Sequence, residues 1–359
     1  MQPTSAIGRM SCGRAASLNI RTKASCATIR RMDTPLSDNP AEKRPPLDPP
    51  AVVGRFAPTP SGRMHLGNVF SLLMAWLGAR SAGGRVVLRV EDLDPRARDR
   101  ATAEALMRDL EWLGLPWDEG PYYQSDRLDI YASAVERLSA RGLTFPCFCT
   151  RAELHAATAP HLSDGTYVYQ GTCRNLTSDQ VERRRAEKDP STRLRVPGAD
   201  DPARIVEFDD LVFGHQTEDL ARDCGDFVIR RGDGVFAYQL AVVVDDALMG
   251  VTEVVRGSDL LSSTPRQLWL YRELGLTPPA FYHLPLLLAP DGRRLSKRDG
   301  DQSLENLRAK YAPEEIIGKL AFVCGLQDTP RPVTPAELAA DFDWAKVPKN
   351  DIVLPESMF

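Results

Sequence analysis

Short apolar segments separated by stretches of helical periodicity constrain this chain more than any other feature. AVVGRFAP (51–58) and RVVLRV (85–90) read as buried strands. Between them Phe70, Leu73, Met74 and Leu77 recur at helical spacing, which predicts a helix over 68–82. Further amphipathic helices are expected over 101–113 and 130–140. Strands that are apolar on both faces and alternate with helices imply an α/β fold, with a parallel sheet covered on both sides.

The alternation lapses over 147–218, where only short strand-like pieces such as TRLRV occur, so an insertion is expected there. It returns at DFVIR and FAYQLAVVVDD, the second read as a strand containing Tyr238. A helix over 264–274 and a strand over 282–288 follow, and beyond Gly300 two short helices are expected to pack on the core. Residues 1–50 stand apart. The first 32 contain Arg9, Arg14, Arg21, Lys23, Arg30 and Arg31 and no acid, and Pro35 to Pro50 form a proline-rich linker. Such a head fits an organelle transit peptide; a translation start at Met32 is the preferred reading. The expected organisation is a disordered head and linker (1–50), two halves of one α/β domain (51–146 and 219–300) around the insertion (147–218), and a helical C-terminal piece (301–359).

With a formal net charge of −4 overall and +6 in the head, the remainder carries −10. That excludes a protein which coats nucleic acid through bulk charge, though not one with a local basic groove. No apolar run approaches the roughly 18 residues a membrane-spanning helix needs. The seven cysteines are too sparse for a disulfide scaffold.

The chemistry concentrates in a few motifs. GRFAPTPSGRMHLGN (54–68) places a strand, a turn and His65-Leu66-Gly67-Asn68 at a helix start, where unpaired N–H groups and the dipole favour phosphate. Taken alone, this reads equally as a capped helix with a surface histidine. It is followed, in order, by GGRVVLRVEDLDPRA, FAYQLAVVVDD, VTEVVRGSDLL and HLPLLLAPDGRRLSKRDG. The set resembles the glutamyl subgroup of class I aminoacyl-tRNA synthetases over about 52–300, with HLGN at the family's first signature and RLSKR at its second. Asn68 stands where that signature has a second histidine.

The resemblance implies a Rossmann-like class I catalytic domain that activates L-glutamate: the substrate carboxylate attacks the α-phosphorus of ATP, which arrives with Mg2+, and displaces pyrophosphate. It makes His65 and Lys297 the catalytic pair bracketing the triphosphate, with Gly67 and Asn68 beside ATP. Phe56, Ala57, Pro58 and Thr59 would line the amino-acid site. Arg55 and Arg256 would grip the substrate's side-chain carboxylate, since guanidinium groups bind carboxylates in bidentate fashion. Glu91 would meet the ammonium and Tyr238 would add a hydroxyl. An Arg55–Glu91 ion pair between adjacent strands is the plain structural alternative.

Cys147, Cys149 and Cys173 fall within 27 residues, which suggests one structural Zn2+. The subgroup's C-x-C…Y-x3-C spacing implies Tyr169 as the fourth ligand; His161 and His155 remain open on chemical grounds. Cys224 and Cys324 stand singly and read as core residues. Only residues 301–359 follow the second signature, too few for the anticodon-binding half of ordinary members. This points to the paralogue that transfers glutamate to queuosine in the anticodon of tRNA(Asp). A shortened enzyme charging tRNA(Glu), or a silent binding module, are the alternatives. A cytoplasmic monomer without membrane contact is expected.

Overall fold

The computed structural model describes residues 52–62, 64–156, 168–295 and 303–359. The head therefore lies outside the described residues, as do Lys297 and His161. In chain order the first elements are β1 (Val53–Phe56), α1 (Leu66–Ser81), β2 (Arg85–Val90), α2 (Arg100–Trp112), β3 (Glu119–Tyr123) and α3 (Leu128–Ala140). β1, β2 and β3 pair in parallel. Then come β4 (Thr144–Cys147), α4 (Arg151–Ala156), α5 (Ser178–Arg185), β5 (Ser191–Leu194), β6 (Ile205–Asp210), β7 (Gly214–Asp219) and β8 (Phe227–Arg230). The chain continues with α6 (Tyr238–Leu248), β9 (Glu253–Gly257), α7 (Thr264–Leu274), β10 (Ala280–Leu284) and β11 (Leu287–Leu288). It ends with α8 (Leu304–Arg308), α9 (Pro313–Val323), α10 (Pro335–Ala340) and β12 (Ile352–Val353).

β9 and β10 are parallel, and β6 and β7 extend them as a hairpin. β9 lies beside β1: the Thr252 amide donates to the Val53 carbonyl at 3.0 Å, and the Val53 amide to the Thr252 hydroxyl at 2.8 Å. The strands thus run 3-2-1-9-10 and the order reverses between β1 and β9. In open α/β sheets such a switch point leaves a crevice at the carboxyl ends of the strands, where ligands bind.

Period-two alternation sends neighbouring side chains to opposite faces. Val86 and Leu88 join a core built with α1, α2 and the C-terminal helices, whereas Val87 joins one built with α3, α6 and α7. Cys324 lies in the first core and Cys224 in the second.

Three segments differ from the sequence reading. FAYQLAVVV is not a strand: α6 begins at Tyr238, and Leu240 to Asp246 are all buried. A helix buried on every side loses its 3.6-residue pattern, and its run of β-branched residues then mimics a strand. DFVIR does form a strand, β8, but pairs antiparallel with β5, which also holds β4, so these three make a small sheet of their own. The segment 282–288 breaks at Pro285 into β10 and β11.

Candidate active site and metal centre

A cavity of about 560 Å³ opens at the switch point. Its wall includes Arg55, Ala57, Pro58, Thr59, His65, Gly67, Asn68, Glu91, Tyr238 and Arg256, so residues spread over 200 positions meet in one crevice. Phe56 is the exception. Its side chain is fully buried in the core, because a strand turns it away from the face that carries Arg55.

At the phosphate end, α1 starts at the cavity wall. Asn68 Oδ1 accepts the His65 backbone N–H at 3.1 Å, which fixes the first turn. A Cβ at Gly67 would meet the His65 ring at 3.1 Å, so glycine leaves room for the imidazole. Lys297 is outside the described residues, but its flanks are not. Leu295 lines the cavity, and Ser303 bridges to His65, with the Leu304 amide donating to the Met64 carbonyl at 2.9 Å. Arg294, also in the wall, pairs with Asp259 at 2.7 Å.

At the other end charges are buried in quantity. Arg55 donates to the Val255 carbonyl at 2.9 Å, and its Nε lies 3.7 Å from Asp246. Burial pushes its guanidinium below the usual arginine range, opposed by Asp246. Glu91 pairs not with Arg55 but with Arg89, at 3.1 Å. Burial raises the Glu91 carboxyl, with Arg89 pulling the other way. Arg89 is fully buried and held by Asp246 at 2.5 Å. Asp245 accepts from Gln124 at 2.9 Å, Arg127 at 2.8 Å and the Tyr131 hydroxyl at 2.7 Å. Arg256 donates to His283 at 3.0 Å, Gln267 at 2.9 Å and Thr264 at 2.7 Å, with the Tyr238 hydroxyl at 3.5 Å. Burial pushes the Tyr238 phenol up, so it stays protonated at neutral pH.

Arg89, Asp245, Asp246 and His283 were not singled out from the sequence. The available signals were two adjacent acids closing an apolar run and a histidine inside the strand FYHL. Leaving aside the Arg294–Asp259 pair, the site therefore offers two guanidinium groups and one carboxylate in a single cavity, continuous with a helix N-terminus. Such a crevice suits a ligand with an anionic and a cationic end, next to a phosphate.

The cysteine cluster lies apart, on the small antiparallel sheet. The sulfur atoms of Cys147, Cys149 and Cys173 all lie within 4.8 Å of one another. The Tyr169 hydroxyl is 3.6 Å from Cys147 Sγ and accepts the Cys173 amide at 2.6 Å. Burial and the neighbouring thiols push Cys149 up to about 12, so at neutral pH it is a thiol unless a cation draws the proton off. Three soft donors with a phenol in reach could hold a metal ion. The His155 side chain, like His161, is outside the described residues.

Residues 51–346 match the family described as tRNA synthetases class I (E and Q), catalytic domain. The chain is 52% identical over 315 residues to a glutamyl-Q tRNA(Asp) synthetase from Symbiobacterium thermophilum, covering 84% of this chain and 95% of that protein. It is 45% identical over 289 residues to glutamate–tRNA ligase 2 from Alkalilimnicola ehrlichii, covering 77% of this chain but only 59% of the ligase. In structure it is similar to a glutamate tRNA ligase from Elizabethkingia meningosepticum in complex with its amino acid. The TM-score is 0.73 with 29% identity, covering 86% of this chain and 68% of that one.

Proposed function

The chain belongs to the class I tRNA synthetases of the glutamate and glutamine type, and from that premise we propose that it activates glutamate with ATP and transfers it to queuosine in tRNA(Asp). The observation that carries the first half is the cavity with Arg55 and Arg256 opposite Glu91, beside the start of α1. Arg55 and Arg256 receive the side-chain carboxylate, Glu91 receives the ammonium, and the Tyr238 hydroxyl closes the wall. Ala57, Pro58 and Thr59, with the Phe56 backbone, carry the substrate toward His65.

The α-carboxylate attacks the α-phosphorus and pyrophosphate leaves. No general base is required, since a carboxylate is already ionised at neutral pH. His65 and Lys297 stabilise the charge that develops on the phosphates, and Gly67 and Asn68 hold the nucleotide at the helix start. Magnesium, when bound with ATP, neutralises phosphate charge. A hydroxyl of the queuosine cyclopentenediol then attacks the activated carbonyl, forming the ester and releasing AMP.

The transfer half is supported by the relatives: the glutamyl-Q tRNA(Asp) synthetase is 52% identical and the glutamate–tRNA ligase 45%. The chain spans nearly all of the glutamyl-Q relative but little over half of the glutamate–tRNA ligase. We assign Zn2+ to Cys147, Cys149, Cys173 and Tyr169, where it would tie the insertion (147–218) together as a structural ion. We place the enzyme in the cytoplasm as a monomer; no helix among the described residues is long and apolar enough to cross a membrane.

Glutamate-dependent exchange of pyrophosphate into ATP tests the reading, first without RNA. Labelled glutamate should then be captured by queuosine-containing tRNA(Asp) and not by the same tRNA lacking queuosine. Capture by tRNA(Glu), abolished by periodate oxidation of its 3′ diol, would replace the acceptor.

A further inference from the structure

Three buried arginines lie around the amino-acid end of the cavity; Arg55 and Arg256 line it, and Arg89 and Arg256 are held in opposite ways. Arg89 touches carboxylates directly, Asp246 and Glu91. Arg256, 5% exposed, forms no direct ion pair among the described residues. The anion behind it is Asp210, at the end of β6, one imidazole away. Arg256 Nε lies 3.0 Å from His283 Nε2, and His283 Nδ1 lies 2.7 Å from Asp210 Oδ2. An arginine nitrogen can only donate, so His283 Nε2 must accept and the ring proton must sit on Nδ1, pointing at Asp210. Asp210 cannot turn away, because Oδ1 accepts the amides of Val212 at 3.1 Å and Phe213 at 2.8 Å. His283 and Asp210 are both buried.

We propose that Asp210 and His283 are positioning residues for substrate recognition: Asp210 fixes the tautomer of His283, which aims the Arg256 guanidinium into the cavity without neutralising it. This rests on the reading of Arg256 as a ligand of the substrate carboxylate. A carboxylate bonded directly to Arg256 would compete with the substrate for the same N–H groups. A neutral imidazole acceptor holds the guanidinium plane and leaves its charge for the ligand. Burial also pushes His283 toward its neutral form.

The test is steady-state pyrophosphate exchange on the full-length chain, with separate KM values for glutamate and ATP. In Asp210→Asn the side-chain oxygen stays on the Val212 and Phe213 amides, so the NH2 faces Nδ1 and also the His283 backbone N–H, which Oδ2 accepts at 3.1 Å in the wild type. That backbone loss is the same whatever side chain stands at position 283. The ring must take the other tautomer, and its Nε2–H then confronts the Arg256 N–H. KM for glutamate should rise about tenfold or more, while kcat and KM for ATP stay within about threefold. His283→Gln offers a carbonyl to Arg256 that needs no tautomer, so Asp210→Asn should cost at least about threefold less in that background than in the wild type. An Asp210 that only buttresses the backbone would cost the same in both backgrounds, and that result would overturn the inference. So would an unchanged KM for glutamate, or a loss confined to kcat. If Asp210→Asn does not fold, His283→Leu against His283→Gln makes the same comparison: Leu should raise KM for glutamate and Gln should restore it, and equal KM values would overturn the inference. Wild-type protein without glutamate-dependent exchange would overturn the functional reading and this inference together. Exchange in the wild type with Asp210→Asn unaffected would overturn the inference alone.

Discussion

Arg89 keeps its charge at zero exposure because Asp246 and Glu91 both bond to it, and one of these carboxylates also faces the cavity. With the ammonium-binding role proposed for it, Glu91 would have two duties, and acid would separate them. Burial raises its pKa, so it takes up a proton at a higher pH than a free carboxyl does. Below that point the proposed partner of the glutamate ammonium would be lost. Glutamate affinity should accordingly weaken as pH falls, from a higher pH than an ordinary carboxylate would give. Glu91→Gln should lower affinity at neutral pH roughly 10- to 100-fold and flatten this acid limb, as titration calorimetry across pH would show. A limb that persists in Glu91→Gln assigns it elsewhere. The residues of this pocket were legible in the sequence where they sit inside contiguous motifs, as Arg55, Glu91 and Arg256 do. Their supports were not. Arg89 meets Asp246 across 157 positions and His283 meets Asp210 across 73, and no local pattern encodes either pairing. Phe56 shows the converse, a period-two rule available in the sequence but overridden by reading 55–59 as one run.

Elements were legible where one face is apolar and the other wet, as in α2 and α3, and misread where burial is complete, as in α6. The C-terminal elements were foreseen only as two helices. α10 and the turn at Trp344 also dock, the latter on α1 through a glycine. Trp344 stacks on Tyr282 with ring centres 4.3 Å apart, and a Cβ at Gly78 would meet Trp344 Cζ2 at 2.6 Å. Glycine in mid-helix costs about 1 kcal/mol relative to alanine, so its place here reflects that approach. Gly78→Ala should destabilise the protein by roughly 1–3 kcal/mol in chemical denaturation. In a Trp344→Ala background the same change should stabilise, by up to about 1 kcal/mol. Equal signs in both backgrounds would dissociate Gly78 from Trp344. In the cysteine cluster, Cys173→Ser should release metal measured by mass spectrometry and increase proteolysis within 147–218, with exchange activity largely kept. Wild-type protein purified without metal would remove the premise.

At the scale of the whole molecule, the acidic remainder limits how RNA can be held. Few neutralised phosphates mean a shallow salt dependence, and the logarithmic slope for tRNA(Asp) binding should be smaller in magnitude than about 4. A steeper slope would require a broad basic groove. The parallel sheet itself was legible from alternation alone. The reversal of strand order between β1 and β9, which creates the crevice, was not, because strand neighbours are chosen by packing and not by sequence order. That reversal has a temporal consequence. Arg55 bonds to the carbonyl of Val255, 200 positions later, so the first strand to leave the ribosome waits for one of the last. At about 5–20 residues per second, roughly 10–40 s pass in which the nascent chain holds Arg55 without the carbonyl it bonds to. On the role proposed for Arg256, ligand capture would double as a report that synthesis has passed residue 256.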